Sequence, residues 1–418
     1  MQTMNGLLQF LETSYTPYHA VANAQKLLDG NGFVRLYEND KWEIKQGGRY
    51  YAIRGGSALI AFTVGEKHGY RIVASHTDSP CLKLKNNPVM TSDGYTRLNV
   101  EPYGGGIWYS FFDRPLRIAG RTVAKKKNGA LESELYTDGH TLVVPSVAVH
   151  MNREVNANFA PNPQTDLLPL YAVGESAPAL PEQTVAYDLY LACAQPPFSC
   201  GANGELICTP RADNLTSVYS SLRALVSATP QAVNICACFD GEEVGSRTLQ
   251  GAGSDFLRTT LERIAECRKE KKEDFARALS SSFLLSLDNA HAVHPNRPEK
   301  CDPTNRPVLG GGVVIKSHAD RAYTTDALTC AVVQSIFDRA NVKYQHFYNR
   351  SDMRSGSTLG AISLSQVGVP SCDIGLAQLA MHSAAETFSK DDYAALEQGL
   401  LTYYECDVCF KGDTVTVK

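Results

Sequence analysis

Helical and strand-like segments alternate along most of the 418-residue chain. That alternation predicts an α/β fold: a mostly parallel sheet covered by helices on both faces, with an inserted β-rich domain. Two observations carry the reading. The runs Ile72-Val-Ala-Ser-His76, Val233-Asn-Ile-Cys-Ala-Cys-Phe239 and Phe283-Leu-Leu-Ser-Leu287 are nearly continuous in apolar residues, as in strands buried on both faces. Between 93 and 195 helical periodicity nearly disappears, and short β-rich stretches alternate with turn-rich segments such as Pro161-Asn-Pro163. The expected organisation is a discontinuous α/β domain, 1–92 plus 196–418, interrupted by a β-rich domain at 93–195.

The elements follow in order. Leu7, Leu8, Phe10, Leu11, Ala20, Val21, Ala24, Leu27 and Leu28 recur at helical spacing and predict helix over 4–29, broken near Thr16-Pro17. Arg54-Gly55-Gly56-Ser57 predicts the turn of a hairpin between 50–53 and 58–64. The strand ending at His76 comes next. Inside the insertion, β-stretches are expected at 108–112, 116–123, 141–144 and 185–194. After Pro210 the order is helix 214–227, strand 233–239, helix over most of 254–279 and strand 283–287. Helix 325–340, strand 344–349 and a closing helix 391–409 complete it. Gly104-Gly105-Gly106 and Gly310-Gly311-Gly312 read as turns, because neither has the flanking pattern of a phosphate loop.

Composition narrows the function. A net charge of −4 and 20% charged residues describe an ordinary soluble globular chain and point away from nucleic acid. The basic clusters at Lys125-Lys126-Lys127 and Arg268–Lys272 are each followed by acids, as on solvated faces. No apolar run approaches the ~18 residues of a membrane span, and no basic segment leads into one at the start. The expected location is cytoplasmic, with no membrane partner. Most of the 12 cysteines sit in apolar segments, where a thiol packs as a small hydrophobe. Cys406-Asp-Val-Cys409 has redox or zinc spacing, but it is a single pair on the expected closing helix.

Metal-ligand residue types cluster where apolar strands stop. His76 and Asp78 end one strand, Glu242 and Glu243 follow a second, and Asp288 ends a third; strand carboxyl ends are where an α/β sheet builds its sites. With Asp213 and His382, the candidate ligands are His76, Asp213, Glu243, Asp288 and His382. Imidazole and carboxylate without thiolate suit a catalytic zinc, cobalt or manganese pair better than a structural zinc. Two such ions roughly 3.5–4 Å apart activate a water and clamp both oxygens of a tetrahedral intermediate. Asp78, two residues past His76 on an extended segment, fits a partner for the second imidazole nitrogen. Glu242, next to a ligand, fits the group that takes a proton from the attacking water and passes it to the leaving amine. Each residue also has a plainer reading: Asp213 as a helix N-cap, Glu242 and Glu243 as a charged helix start, Asp288 as a turn cap.

These residues lie in longer motifs. Ser75-His76-Thr-Asp78-Ser-Pro80, Arg211-Ala-Asp213-Asn214, Phe239-Asp-Gly-Glu242-Glu243-Val-Gly-Ser246, Asp288-Asn-Ala-His291-Ala-Val-His-Pro-Asn296 and Gln378-Leu-Ala-Met-His382-Ser resemble, in order across nearly the whole chain, the M18 aminopeptidases. The resemblance implies an exopeptidase with two zinc ions per subunit that removes one residue from a free peptide N-terminus. It makes Asp213 the bridging ligand, His76, Glu243, Asp288 and His382 the remaining ligands, and Glu242 the general base. A cis bond at Asp213–Asn214 is common in the family. The resemblance assigns peptidase chemistry to 1–92 plus 196–418 and dimerisation to 93–195. There Val144-Pro-Ser-Val-Ala-Val-His150-Met-Asn-Arg153 matches a motif whose histidine, here His150, reaches a neighbouring subunit's site. Family members build tetrahedral dodecamers from dimers and admit short, unfolded peptides.

First-residue preference is the least constrained expectation. Gly311-Gly-Val-Val-Ile-Lys316 resembles the segment whose lysine lies near the specificity pocket in acidic-residue enzymes, so Lys316 implies a preference for Asp or Glu. Asp352 and Met353 are expected at the same pocket. Their segment, Ser351-Asp352-Met-Arg354-Ser-Gly356-Ser-Thr358, departs from the Asp-Thr-Pro-Cys-Gly-Thr-Thr form of the eukaryotic aspartyl enzymes. Met353 and Arg354 therefore leave cleavage after neutral or basic residues open. A related carboxypeptidase or deacylase, and a catalytically dead scaffold, are the competing readings. The first is disfavoured by the His150 motif, the second by the complete ligand set.

Overall fold

A computed structural model describes residues 2–353, 356 and 358–418. A nine-stranded sheet forms its centre. Four neighbouring strands, Val233–Phe239, Tyr70–His76, Phe283–Leu287 and Ser371–Gly375, run parallel. Val313–Lys316 then pairs antiparallel to Ser371–Gly375, and the hairpin Arg49–Arg54/Ala58–Val64 joins the other side. Every residue of the first three central strands is buried, which is why their sequences lack polar alternation. Val73 and Leu285 face one layer, with the helices Gln2–Thr13, Ala212–Ser227, Ala327–Arg339 and Lys390–Glu405. Ile72, Ala74 and Leu284 face the other, with Phe256–Cys267 and Leu359–Val367. The result is the expected α/β architecture, a mostly parallel sheet between two helical layers.

A second, fully antiparallel sheet is built from Leu131–Thr137, Leu116–Lys125, Thr184–Cys193, Cys81–Ser92, Tyr95–Tyr103 and Leu170–Val173, in that spatial order. It has its own core of Leu82, Leu98, Leu116, Ile118, Leu189 and Leu191. Its strand Cys81–Ser92, paired with Tyr95–Tyr103, begins just past the His76 end of the larger sheet's Tyr70–His76 strand. A small third sheet carries Glu386–Ser389, Ala377–Leu379 and Ala290–His291.

Some expected elements differ. Trp108–Phe111 is a 3₁₀ turn and not a strand, held by Ser110 N–H donating to Ile107 O. The 141–144 stretch makes isolated bridges only. The helix expected over 254–279 is two, Phe256–Cys267 and Lys272–Ser280, separated where Lys269 turns left-handed. The closing helix stops at Glu405, because the buried Arg71 guanidinium takes the carbonyls of Cys406 and Val408 and draws the chain into a hairpin. Cys406 and Cys409 therefore lie off the helix, one buried and one exposed, and all 12 cysteines are free. No described helix is long and apolar enough to cross a membrane.

Candidate metal centre

The ligand types expected at strand ends converge. His76 closes the Tyr70–His76 strand, Asp288 follows Phe283–Leu287, and Glu242–Val244 form a 3₁₀ turn just past Val233–Phe239. Asp213 lies in the first turn of Ala212–Ser227, where its φ of −80° and ψ of 109° depart from helix and the Asp213–Asn214 peptide is cis. It is not an N-cap: its side chain points into the cluster. His76 Nε2 lies 3.4 Å from both Asp213 Oδ1 and Asp288 Oδ1. His382 Nε2 lies 3.6 Å from Asp213 Oδ2 and 3.2 Å from Glu243 Oε1. Three three-residue groupings result, His76–Asp213–Asp288, Asp213–Glu243–His382 and His76–Glu242–Glu243; Asp213 is common to the first two, with Oδ1 beside His76 and Oδ2 beside His382.

The donor set fits dications. Asp213 Oδ1 and Glu243 Oε1 are buried without a hydrogen-bond donor, an arrangement proteins rarely leave uncompensated. Burial, and then the carboxylates of Asp288, Glu243 and Asp78, push Glu242 up to about 8 against the opposing pull of His76. At His382 burial opposes the charge, but the Asp213 and Glu243 carboxylates beside it outweigh it and push the imidazole up to about 12. Carboxylates crowded into holding protons, and imidazoles drawn into carrying them, mark a cluster that metal ions would relieve.

A scaffold of fixed hydrogen bonds surrounds the ligands. His76 Nδ1 meets Asp78 O at 3.0 Å and Asp78 Oδ1 at 3.3 Å, leaving Nε2 to face the cluster. The Asp78 carboxylate, fully buried, also accepts from Glu242 N, Glu243 N and Tyr103 Oη. His382 Nδ1 bonds Gly105 O at 3.0 Å, and Ile107 N donates to His382 O at 2.9 Å. Gly104 has a φ of +72°, and a Cβ there would stand 3.0 Å from Glu243 Cβ. The glycine triplet is thus a turn, as expected, but one that reaches the ligands. Tyr103, Gly105, Ile107 and Glu386 were not anticipated; the only sequence signals were glycines directly after a strand and a glutamate four residues past His382.

A cavity of about 180 Å³ opens on the cluster, lined by Glu242, Lys316, Tyr323, Thr358 and Met381 among others. Lys316 is 1% exposed and donates to Asp288 O at 2.7 Å. Asp352 instead pairs with Arg350 at 2.7 Å, and Met353 is 46% exposed; both line a separate surface depression and not this cavity. Arg354 lies outside the described residues. His150 is exposed on a turn of the inserted segment, with no partner in its own chain's cluster among the described residues.

Paired ligand sets sharing one carboxylate, at the carboxyl edge of a parallel sheet, define a metal-dependent hydrolase. The family model "Aminopeptidase I zinc metalloprotease (M18)" matches residues 10–184 and 172–404. A probable M18 family aminopeptidase 2 of Clostridium acetobutylicum is 42% identical over 425 residues, spanning 95% of this chain and 97% of that protein. The cryo-EM structure of the Ape4 and Nbr1 complex contains a chain that superposes with a TM-score of 0.92 at 31% identity, covering 96% of this chain and 85% of that one. The S. cerevisiae mApe1 dodecamer superposes with a TM-score of 0.81 at 25% identity, covering 96% of each chain. This chain belongs to the M18 family of zinc metalloproteases and is an aminopeptidase.

Proposed function

We propose that the enzyme uses two zinc ions per subunit to release single residues from free N-termini of short peptides, with a preference for Asp or Glu in first position. The observation that carries the two-ion reading is the division of Asp213: Oδ1 lies beside His76 and Oδ2 beside His382, and Asp213 belongs to a ligand grouping with each. His76, Asp213 and Asp288 would hold one ion, and Asp213, Glu243 and His382 the other; cobalt or manganese suit the same donors. Bound there, the ions would lower the pKa of the attacking water and polarise the scissile carbonyl. Glu242 borders the cavity beside His76 and Glu243. It accepts the proton of the attacking water and returns it to the departing amine.

A cavity of about 180 Å³ has room for one side chain, in keeping with single-residue release. Its acidic lining residues all belong to the ligand cluster, whereas the remaining wall contributes Lys316 with neutral groups. At Lys316 burial disfavours the charge, yet Asp288, 3.5 Å from Nζ, and neighbouring groups raise its pKa, so the ammonium is retained in the wall. Asp352 and Met353 would contribute only if their loop folded over the entrance.

The 93–195 segment is read as a dimerisation domain presenting His150 to a neighbouring subunit's site. Its turn exposes Val147, Val149 and Met151, apolar groups suited to a partner surface. By analogy with the mApe1 dodecamer, the assembly is a homo-oligomer, a tetrahedral dodecamer of dimers working in the cytoplasm. The test is hydrolysis of Asp, Glu, Leu, Lys and Ala reporters, free and N-acetylated, by metal-stripped protein given back zinc, cobalt or manganese. Metal-restored cleavage of free Asp and Glu reporters is expected. Equal cleavage of acetylated forms would refute the exopeptidase reading, and a bias to Leu or Lys would refute the role of Lys316.

A further inference from the structure

We propose that Glu386 is a positioning residue of the metal centre: a buried carboxylate that ties the backbone amides of Asp213 and His382 together and presets both ligands before any ion binds. The proposal rests on the two-metal reading above. Glu386 is 1% exposed and starts the strand Glu386–Ser389. Its Oε1 accepts from His382 N at 2.6 Å, and its Oε2 accepts from Asp213 N at 2.9 Å. Each of its two oxygens takes one amide N–H, so a single buried carboxyl group holds both stretches of backbone. Glu386 belongs to none of the ligand groupings, so its carboxyl group acts on the backbone carrying the ligands.

Both ligands need such support. His382 has a φ of +68°, a region that residues other than glycine seldom occupy. Asp213 breaks helical geometry within Ala212–Ser227. Neither backbone is held by a regular ladder at that point. The remaining restraints come from elsewhere in the chain: Ser79 Oγ donates to Asp213 O at 2.6 Å, and Ile107 N donates to His382 O at 2.9 Å. Among the described residues, Glu386 alone reaches both ligand amides, so it sets the spacing between the shared carboxylate and His382. Glu386→Gln keeps the shape but leaves one acceptor oxygen and turns an NH₂ group toward the other amide. Glu386→Asp keeps the carboxyl group on a stem too short to span both.

Zinc affinity, measured by chelator competition, separates this role from a merely structural one. Wild type is compared with Glu386→Gln, Glu386→Asp and the neighbouring control Thr387→Ala. Altered support of a metal ligand lowers affinity roughly 10–100-fold; Glu386→Gln should show that loss, Glu386→Asp part of it, and Thr387→Ala none. Hydrogen exchange on metal-free wild type needs no variant, and the amides of Asp213 and His382 should already be protected. Wild-type zinc affinity in folded Glu386→Gln, or exchange at those two amides as fast as in exposed loops, would overturn the proposal. Wild type that binds no zinc would instead refute the metal-centre reading on which it rests.

Discussion

Replacing Asp78 by Asn perturbs the hub of the ligand scaffold while barely changing its shape. The carboxylate accepts at Oδ1 from Glu242 N (3.1 Å) with His76 Nδ1 3.3 Å away, and at Oδ2 from Glu243 N (3.1 Å) and Tyr103 Oη (2.8 Å). An amide must turn its NH₂ toward one of these pairs. The Oδ2 side is cheaper, since the Tyr103 hydroxyl can rotate to accept, but the Glu243 N–H then loses its partner in a buried site. A buried unsatisfied donor costs about 1–3 kcal/mol, with more lost because the acceptor had been charged. The metal-free protein should therefore lose roughly 2–4 kcal/mol of unfolding free energy in urea, and zinc affinity should fall about 10–100-fold. Tyr103→Phe should cost less and couple to Asp78→Asn in a double-mutant cycle. Wild-type stability and zinc affinity in Asp78→Asn would refute this reasoning.

Other perturbations separate the remaining roles. Glu242→Gln should lose about 10²–10⁴-fold in turnover while retaining zinc; joint loss of metal and activity would make it a ligand instead. His150→Ala should lower activity with the metal content intact, and mixing it with Glu242→Gln subunits should restore some sites if His150 acts across an interface. His19 gives a pH signature remote from the ligands. Burial, and then Arg211 and Lys26, lower its pKa from 6.5 to about 4, and its ring nitrogens meet the hydroxyls of Thr16 and Thr137. The unfolded chain takes up the proton first, so the stabilisation is complete above pH 6.5 and is lost as pH falls toward 4. The loss is about 3 kcal/mol. Urea unfolding of metal-free protein across that range should show a slope that His19→Gln removes; identical slopes would refute it.

The residues legible in the sequence are those whose side chains do the work. His76, Glu243 and Asp288 end buried strands, and continuous apolar runs advertise both the strand and its stopping point. Asp213 looked equally like a helix cap, because its departure from helical geometry has no local signature; only the motif resolved it. Gly105 and Ile107 were illegible because they act through a backbone carbonyl and amide, which carry no residue identity; Glu386 was illegible because its side chain grips backbone amides, a role with no sequence pattern. Within 93–195, Trp108–Phe111 has strand-like composition, yet it turns where the chain leaves Gly106. The closing helix was overextended because the buried Arg71, hundreds of residues earlier, captures the carbonyls that end it.

The most direct test of the central claim is zinc bound per chain, measured by elemental analysis on titration into metal-stripped wild type, Glu243→Ala and Asp213→Ala. The shared-carboxylate arrangement predicts two zinc ions per wild-type chain, one in Glu243→Ala and weakened binding of both in Asp213→Ala. A single zinc in wild type, or two retained without the Asp213 carboxylate, would contradict it.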